Sequence, residues 1–405
     1  MRRATFAWLI LILLASAAAG FYLTAQVMIK GRSRSTVSCS DYYECAVSAY
    51  KALVKTYYLP SFHLYSGQGL SMPFAGFWQT AQVTSAANYL SLIPNSSGFG
   101  VNFNKTLVAN YEAMQLYLDP LGKGYESSPP VPPSSGGPEY YDDNAWGLLA
   151  LIQGYLISHN QTYLAKARAI FNFEVGGWAG SSLPCPGGIY WEVGGSPLRS
   201  RNTCSNAPVA EAAAELYLIT GNRTYLDWAQ RIYGWVFKYL RAPNALYYDH
   251  ITCFLYSNGS VGYRINTAFW TYNQGTMIGT GAMLYIATGN STYLNEAKET
   301  AISSLLYFQS RLMSQPIIDN AIYFRNLVRL GEVTGNQTFN NEVYSMMKNY
   351  TGVMCANYRY SNDIFMAPGY SDIPAQNIPE SEVDVMSNAA MVQIYSLLAG
   401  AKPLL

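Results

Sequence analysis

The sequence is short of charged residues and of histidine, and each shortage excludes a class of function. Only 12% of the 405 residues are charged and the formal net charge is +1, so the basic patch that neutralises nucleic-acid phosphates is missing. The three histidines, His63, His159 and His250, are widely separated, and the six cysteines include no Cys-x-x-Cys pair. Without clustered ligands of this kind we predict no metal site and no cofactor, which leaves open only a single carboxylate-bound cation.

The chain is rich instead in apolar and aromatic residues. Half of it is hydrophobic and 35 residues are tyrosine, so a large core can be buried while neutral polar groups cover the surface. A tyrosine combines an apolar ring with a polar tip, which suits a half-wet surface and also suits stacking on a sugar ring. Most of the tyrosines are expected to do no more than pack.

The N-terminal segment contains a long uncharged stretch, between Arg3 and Lys30. Its length suits a transmembrane helix of about 20 residues. Ala17 and Ala19 form an Ala-x-Ala cleavage site, but apolar residues continue beyond it, which favours a retained anchor. We therefore expect 1–35 to comprise a cytoplasmic stub, a hydrophobic signal-anchor and a short linker. Residues 36–405 would then form one domain outside the cytoplasm, and secretion after signal cleavage is the alternative.

Glycosylation sequons and cysteines agree with an extracytoplasmic location. Eight Asn-x-Ser/Thr sequons follow the apolar segment, beginning at Asn95, Asn104, Asn160, Asn222, Asn258, Asn290, Asn336 and Asn349. All six cysteines lie after it as well, and an even number suits a secreted protein. From closeness in sequence alone we expect disulfides between Cys39 and Cys45 and between Cys185 and Cys204.

From Cys39 onward the sequence reads as one amphipathic helix after another, with no convincing strand of alternating pattern. In 225–239, for example, apolar residues recur at i, i+3, i+4 spacing, and Thr224 with Asp227 resembles a capping box. The predicted helices lie at about 40–57, 74–92, 103–117, 142–157, 162–177, 206–219, 224–240, 271–287, 291–311, 316–333, 337–350 and 382–398.

A short motif joins four pairs of these helices. It reads Thr-Gly-Asn-x-Thr-aromatic at 220–225, 288–293 and 334–339, with a related form at 159–163. We interpret it as Gly or Asn ending the first helix and Thr capping the second. A repeated helical hairpin is typical of an α-solenoid or a closed toroid. Twelve helices in six hairpins would close into an all-α (α/α)6 barrel, and an open helical array is the alternative.

The strongest candidate for chemistry is the adjacent pair Asp142 and Asp143, where a Pro-rich loop runs into a predicted helix. Acidic residues at a helix start also have a structural explanation, because they cap the helix and interact with its dipole. Tyr140, Tyr141 and Trp146 place aromatic surface around the pair, which desolvates carboxylates and stacks on sugars. Neighbouring carboxylates do not ionise independently, and glycosidases need one charged and one protonated. Their short separation favours a retaining double displacement.

These residues resemble glycoside hydrolase family 76, the endo-α-1,6-mannanases and their fungal cell-wall relatives. The matching segments, in the family's order, are 140–146, 187–191, 201–206, Asp249 and 270–275. The resemblance covers nearly all of the chain after the first 76 residues. It implies an (α/α)6 barrel, six helical hairpins closed into a toroid, and retaining hydrolysis of α-1,6-linked mannose.

Carried over residue by residue, the resemblance makes Asp142 the nucleophile and Asp143 the acid/base. The candidate substrate-binding residues are Tyr141, Asn144, Trp146, Trp191, Asn202, Asp249, Tyr272, Asn273 and Gln274. The aromatic and amide members also have a structural alternative, as lids over the core or as caps of turns and helices. Arg201 stands where the family has Lys and Gly147 where many members have a second aromatic. Both departures leave the reaction class intact and bear on the preferred glycan.

We therefore expect a monomeric, retaining glycoside hydrolase that cleaves internal α-1,6-mannosidic linkages in an extracellular polysaccharide or glycan. Its expected partners are this carbohydrate and, through the N-terminal helix, the membrane; nucleic acid is not among them. A cell-surface transglycosylase needs the same carboxylates and stays open, as does a non-catalytic glycan-binding protein. A sugar epimerase of similar fold fits poorly, because its histidine bases have no counterpart in the matching segments.

Overall fold

The computed structural model describes residues 41–67, 73–94, 101–181, 185, 187–194, 196, 198–368 and 384–405. The predicted signal-anchor, Cys39 and the sequon at Asn95 lie outside these residues. Within them, no helix has the length and apolar character needed to cross a membrane.

Twelve helices account for most of the described chain. Six odd-numbered helices form an outer layer: α1 Tyr42–Tyr57, α3 Phe103–Gln115, α5 Gln161–Gly176, α7 Arg223–Leu240, α9 Ser291–Phe308 and α11 Gln337–Asn357. Six even-numbered helices form the inner layer: α2 Phe77–Ser91, α4 Tyr141–Ser158, α6 Thr203–Thr220, α8 Thr271–Thr288, α10 Ile317–Thr334 and α12 Val385–Leu398. All twelve predicted helices are confirmed, with ends within three residues of those predicted, except that α11 extends seven residues further, to Asn357.

The inner helices form a closed ring. Each even-numbered helix packs against the next, from α2 through α4, α6, α8 and α10 to α12, and α12 returns to pack against α2. Each outer helix packs on an inner one, and α1, the first of the described helices, packs against α12, the last of them. The closed toroid of six hairpins is therefore confirmed over an open array.

Small residues allow the inner helices to approach one another. The fifth residue of every inner helix is alanine or glycine: Ala81, Ala145, Ala207, Gly275, Ala321 and Ala389. At Gly275 of α8 the neighbouring backbone of α10 comes so close that an added Cβ would lie 2.7 Å from the Cα of Tyr323. A glycine is therefore required here, where the fifth residue of α8 meets the backbone at the seventh residue of α10.

The repeated sequence motif forms the connections between inner and outer helices. Each inner helix of the motif ends on a residue with left-handed backbone, namely His159, Gly221, Gly289 and Gly335. The next helix is capped by the motif asparagine, whose side chain accepts a backbone N–H, at Asn160, Asn222, Asn290 and Asn336. The expectation that threonine caps the second helix is wrong, because asparagine is the better N-cap and comes first.

Strands are present, contrary to the sequence expectation. Strand β4 His250–Leu255 pairs antiparallel with β5 Val261–Asn266, and β3 Arg201–Asn202 pairs with β4 at its other edge. A separate short antiparallel pair, β1 Tyr58–Leu59 and β2 Leu64–Tyr65, follows α1. The turn between β4 and β5 contains Asn258-Gly259, a strong hairpin signal that does not depend on alternation within the strands.

The predicted pairing of Cys185 with Cys204 is also wrong. Cys185 forms a disulfide with Cys253 of β4, with the two Cα atoms 6.4 Å apart. Cys204 is a free, buried thiol in the first turn of α6. The bond joins the loop before α6 to the β4–β5 hairpin, across a sequence separation of 68 residues, which closeness in sequence could not reveal.

Candidate active site

The loops at one end of the ring are held by an amide in the fourth position of four inner helices. Each amide accepts the backbone N–H of a loop residue and donates both to that residue's carbonyl and to the carbonyl before the helix. The four amides and the loop residues they hold are Asn144 with Tyr125, Asn206 with Ile189, Gln274 with Tyr247, and Asn388 with Phe365. Two of these loop residues, Ile189 and Tyr247, come shortly before Trp191 and Asp249 in the sequence.

The hydrogen bonds to these loops keep Asn144 and Gln274 inside the protein, away from any surface that a sugar could reach. Both are fully buried and their polar atoms are bonded to backbone. The structure gives both a scaffolding role, contrary to the expectation of substrate contact. The second residues of α4, α6 and α8 instead lie together: Cys204 Sγ is 3.5 Å from Asp142 Oδ2, and Tyr272 lies beside Cys204.

Asp142 occupies the second position of α4 and receives two side-chain hydrogen bonds. Trp191 Nε1–H donates to its Oδ2 over 2.9 Å, and the Cys204 thiol donates to the same oxygen with Sγ 3.5 Å away. Burial raises the pKa of Asp142 to about 6, and the bonds from Trp191 and Cys204 limit that rise. The carboxylate also lies in the first turn of a helix, where the dipole favours negative charge.

Asp143, in the third position of α4, lies in a different environment. Burial raises the pKa of Asp143 well above its usual range, and the neighbouring charge of Asp142 raises it further. No described side chain donates a hydrogen bond to it. The two adjacent carboxyl groups are therefore unequal: Asp142 is the more readily ionised and Asp143 retains its proton to higher pH.

Glu174 adds a third carboxyl group behind the pair, which the sequence analysis missed. It lies on α5, is fully buried, and neither of its oxygens has a hydrogen-bond partner in the described structure. Burial raises the pKa of Glu174 well above its usual range, and the charges of Asp142 and Asp143 raise it further. A neutral Glu174 leaves Asp142 as the negative charge of this group.

A second pair of carboxyl groups faces the site from the opposite wall. Asp249 precedes β4, and its Oδ2 is 2.9 Å from His250 Nδ1 and accepts from Asn266 Nδ2 over 3.1 Å. Asp319, in the third position of α10, is buried, and burial together with the charge of Asp249 raises the pKa of Asp319 well above its usual range. Asp319 was not predicted, because a lone Asp in a first helical turn reads as a dipole partner.

The aromatic candidates divide into an exposed rim and a buried floor. Trp191 is 39% exposed and packs on Tyr140 with ring centres 4.9 Å apart. Tyr272, in the second position of α8, is partly buried beside Cys204, and its ring centre is 6.3 Å from that of the buried Trp146. Trp191 and Tyr272 can thus meet a sugar, whereas Trp146 supports Tyr272 from below.

Of the remaining candidates, Tyr141 and Asn202 have structural contacts, and Asn273 has polar atoms without a hydrogen-bond partner in the described structure. Tyr141 is buried against Phe173, with ring centres 5.1 Å apart. Asn202 caps α6, and its backbone N–H donates to Ser205 Oγ over 3.3 Å. Asn273, in the third position of α8, is fully buried and both of its amide atoms lack a hydrogen-bond partner in the described structure.

The closed ring of six helical hairpins, with carboxyl groups gathered at the N-terminal ends of its inner helices, defines a protein of the six-hairpin glycosidase class. The sequence profile of glycosyl hydrolase family 76 matches residues 43–322. The chain belongs to this family.

Individual proteins that are similar to this chain are consistent with its assignment to the family. The chain is 30% identical over 194 residues to the mannan endo-1,6-alpha-mannosidase DCW1 of Saccharomyces cerevisiae, a match that covers 45% of this chain and 42% of the yeast protein. It thus spans less than half the length of that curated relative. A family 76 glycoside hydrolase from a bovine Bacteroides thetaiotaomicron strain has the same fold, with a TM-score of 0.74 at 23% identity over 89% of this chain and 78% of that one.

A second solved structure has the same fold with a sugar bound. It is an inactive variant of the alpha-1,6-mannanase of Salegentibacter sp. HEL1_6 in complex with alpha-1,6-mannotriose, in which two consecutive aspartates are replaced by asparagine. Its TM-score is 0.71 at 21% identity, over 89% of this chain and 99% of that one.

Proposed function

We propose that the protein is a retaining glycoside hydrolase that cleaves internal α-1,6-mannosidic linkages. The observation that carries this proposal is the inequality of Asp142 and Asp143, because double displacement needs one ionised and one protonated carboxyl group side by side. Consecutive Cα atoms lie about 3.8 Å apart, which suits the short carboxyl separation of about 5–5.5 Å in retaining enzymes. The names of the family 76 relatives supply the substrate class.

In the first step, the Asp142 carboxylate attacks C1 of the mannose on one side of the scissile bond. Asp143 donates its proton to the glycosidic oxygen, so the leaving sugar departs as an alcohol and a mannosyl ester forms on Asp142. The hydrogen bonds from Trp191 and Cys204 hold the attacking carboxylate in orientation and keep it ionised. Glu174, neutral behind the pair, adds no competing charge.

In the second step, a water molecule attacks the same carbon. Asp143, now ionised, takes a proton from this water, and the bond between C1 and Asp142 breaks. Asp142 returns as the carboxylate and Asp143 as the acid, and two inversions leave the α configuration unchanged. An acceptor sugar in place of water would give transglycosylation by the same two groups.

The residue roles are tested with two variants and two substrates. Asp143→Asn should lose nearly all activity on α-1,6-mannan. It should still release an acidic phenol from an aryl α-mannobioside in an initial burst, because departure of that phenol needs no proton whereas the second step still lacks its base. Asp142→Asn should be inactive on both. Asp227→Asn, an exposed carboxylate on α7, serves as the control and should match the wild type.

Product analysis by NMR of the anomeric proton tests the stereochemistry and the acceptor. Release of α-anomers by the wild type supports retention, and β-anomers would contradict it. Equal activity of Asp142→Asn and wild type would overturn the assignment of the site. Products longer than the substrate, formed when a mannoside acceptor is added, would identify a transglycosylase.

We also propose that residues 36–405 work outside the cytoplasm and that 1–35 tether them to the membrane. The Cys185–Cys253 disulfide supports an oxidising compartment, and four sequon asparagines are exposed at helix starts. The full chain should resist alkaline carbonate extraction and should gain mobility on gels after N-glycan removal. Recovery in the soluble fraction without residues 1–35 would indicate secretion after cleavage instead.

A further inference from the structure

A second polar cluster lies deeper in the ring, below the carboxyl groups of the site. It is formed by the ninth and thirteenth residues of facing inner helices, Glu211 and Glu215 of α6 and Arg325 and Arg329 of α10. At a rise of 1.5 Å per residue these positions lie about 10–15 Å from the second and third positions. All four side chains are buried, and Tyr89 of α2 faces all four charges.

The two arginines differ in their hydrogen bonds to the carboxylates. Arg329 pairs with both carboxylates, through Nη1 to Glu211 and through Nη2 to Glu215 Oε1 over 2.6 Å. Arg325 Nη2 is 3.8 Å from Glu211 Oε1, which is too long for a hydrogen bond. Arg325 therefore brings a buried charge to the cluster without a hydrogen-bonded carboxylate in the described structure, an arrangement that costs free energy unless something else accepts its N–H groups.

A cavity lies where these groups meet. It has a volume of about 20 Å³ and its lining includes Glu211, Glu215, Arg325, Arg329 and Tyr89. This is room for one particle of about the size of a water molecule. Three buried donors in the cluster lack a partner within the described chain, namely Nε and Nη2 of Arg325 and Nε of Arg329, against a single such acceptor, Glu211 Oε2.

We propose that this cavity binds one small monovalent anion of halide size, with chloride as the natural occupant. An anion accepts several N–H bonds at once, whereas a water molecule directs two of its four hydrogen bonds outward as a donor. The excess of cationic donors over acceptors therefore fits an anion better than water. Gly279 of α8 keeps the cluster compact, because a Cβ there would lie 3.4 Å from Glu211 Cδ and would overlap Asn326.

The charge balance of the cluster couples this binding to pH. Burial, with a contribution from Glu211, raises the pKa of Glu215 to about 7, against the opposing effect of Arg329. Burial raises the pKa of Tyr89 to about 12, so Tyr89 stays neutral. Protonation of Glu215 leaves one excess positive charge, which the anion neutralises. Affinity should therefore be about tenfold higher at pH 6 than at pH 8, the ratio of protonated fractions for a pKa near 7.

Crystals of the wild-type protein soaked in bromide test the site directly. The expected result is an anomalous difference peak in the cavity, within hydrogen-bond distance of the Arg325 guanidinium. A water molecule in the cavity and no anomalous signal at high bromide concentration would overturn the proposal. This experiment needs neither substrate nor activity, so its outcome is independent of the proposed hydrolase function.

Thermal unfolding in solution tests the coupling. Chloride replaces gluconate at constant ionic strength, and the melting temperature is followed at pH 6 and pH 8. The wild type and the exposed control Arg168→Gln should be stabilised by chloride, with an apparent affinity about tenfold weaker at pH 8. Arg325→Gln should lose this response. An equal chloride response in Arg325→Gln would refute the site, and if that variant does not fold, the bromide experiment decides.

Discussion

Replacing Trp191 by phenylalanine isolates the hydrogen bond that keeps Asp142 ionised. Phenylalanine retains an aromatic ring against Tyr140 but lacks the indole N–H that donates to Asp142 Oδ2 over 2.9 Å. A hydrogen bond to a charged group contributes about 1.5–3 kcal/mol, and one pKa unit corresponds to about 1.4 kcal/mol. Because Trp191 is 39% exposed, water replaces part of the lost bond, so a rise of about one unit is expected.

The acidic limit of the pH profile measures this rise. The rate constant kcat/KM requires Asp142 ionised and Asp143 protonated in the free enzyme, which gives a bell-shaped profile whose limits belong to the coupled pair. The pKa of Asp142 is raised to about 6, so the acidic limit of Trp191→Phe should move to about 7, with about tenfold lower kcat/KM at pH 5. The alkaline limit, set mainly by Asp143, should stay in place.

The assay is reducing-end release from α-1,6-mannan at low substrate concentration, across pH 4 to 9. Trp228→Phe, at a tryptophan that packs on Trp178 away from the carboxyl groups, is the matched control and should keep the wild-type limits. A uniform loss of kcat/KM at every pH, with unchanged limits, would refute the reasoning. Trp191 would then act only as a stacking surface for sugar.

Three predictions concern stability. Asn206→Leu leaves the backbone N–H and carbonyl of Ile189 without their side-chain partner. It should lower the free energy of unfolding, measured by urea titration, by roughly 2–4 kcal/mol. A loss below about 0.5 kcal/mol would contradict the role of this amide in holding the loop. Gly275→Ala places a Cβ 2.7 Å from the α10 backbone and should destabilise by about 1–3 kcal/mol, whereas Gly234→Ala, in helix α7 with open space around it, should stabilise by about 0.4–1 kcal/mol. Burial raises the pKa of Glu174 well above its usual range, so the folded state binds its proton more tightly than the unfolded state does. This contribution to stability is complete below about pH 4.3 and is lost as the pH rises. Calorimetry should therefore show a smaller loss of melting temperature between pH 5 and pH 8 in Glu174→Gln than in the wild type, and an equal loss would contradict this.

The helices were predictable because their signals are local. Apolar spacing and the Asn-x-Thr connections are read within one turn or one hairpin, and all twelve helices were found. The adjacent pair Asp142 and Asp143 was also visible, since both residues lie next to each other in sequence. The contacts that differentiate them were not, because Trp191 and Cys204 reach Asp142 from 49 and 62 residues away.

The errors have the same physical origin. The Cys185–Cys204 pairing assumed that sequence neighbours are spatial neighbours, whereas the β4–β5 hairpin brings Cys253 to Cys185. Asn144 and Gln274 were assigned to the substrate because both stand in segments that resemble family 76. Only the structure shows that each is buried and holds a loop backbone. Asp319 carries no local signal beyond that of a dipole partner, and the charge of Asp249 that raises its pKa comes from a residue 70 positions earlier in the sequence.

In the inner helices α4 and α8, residues of the site stand next in sequence to the residue that holds a loop in place. In α4, Asp142 and Asp143 face the axis while Asn144, the next residue, pins the preceding loop. In α8, Tyr272 and Asn273 precede Gln274, which does the same for Tyr247. Because Asn144 bears the hydrogen bonds to the loop, Asp142 and Asp143 can change without loss of the fold. Variants of Asp142 or Asp143 should therefore unfold at or above the wild-type temperature, since each removes a buried acidic group, and activity alone should be lost.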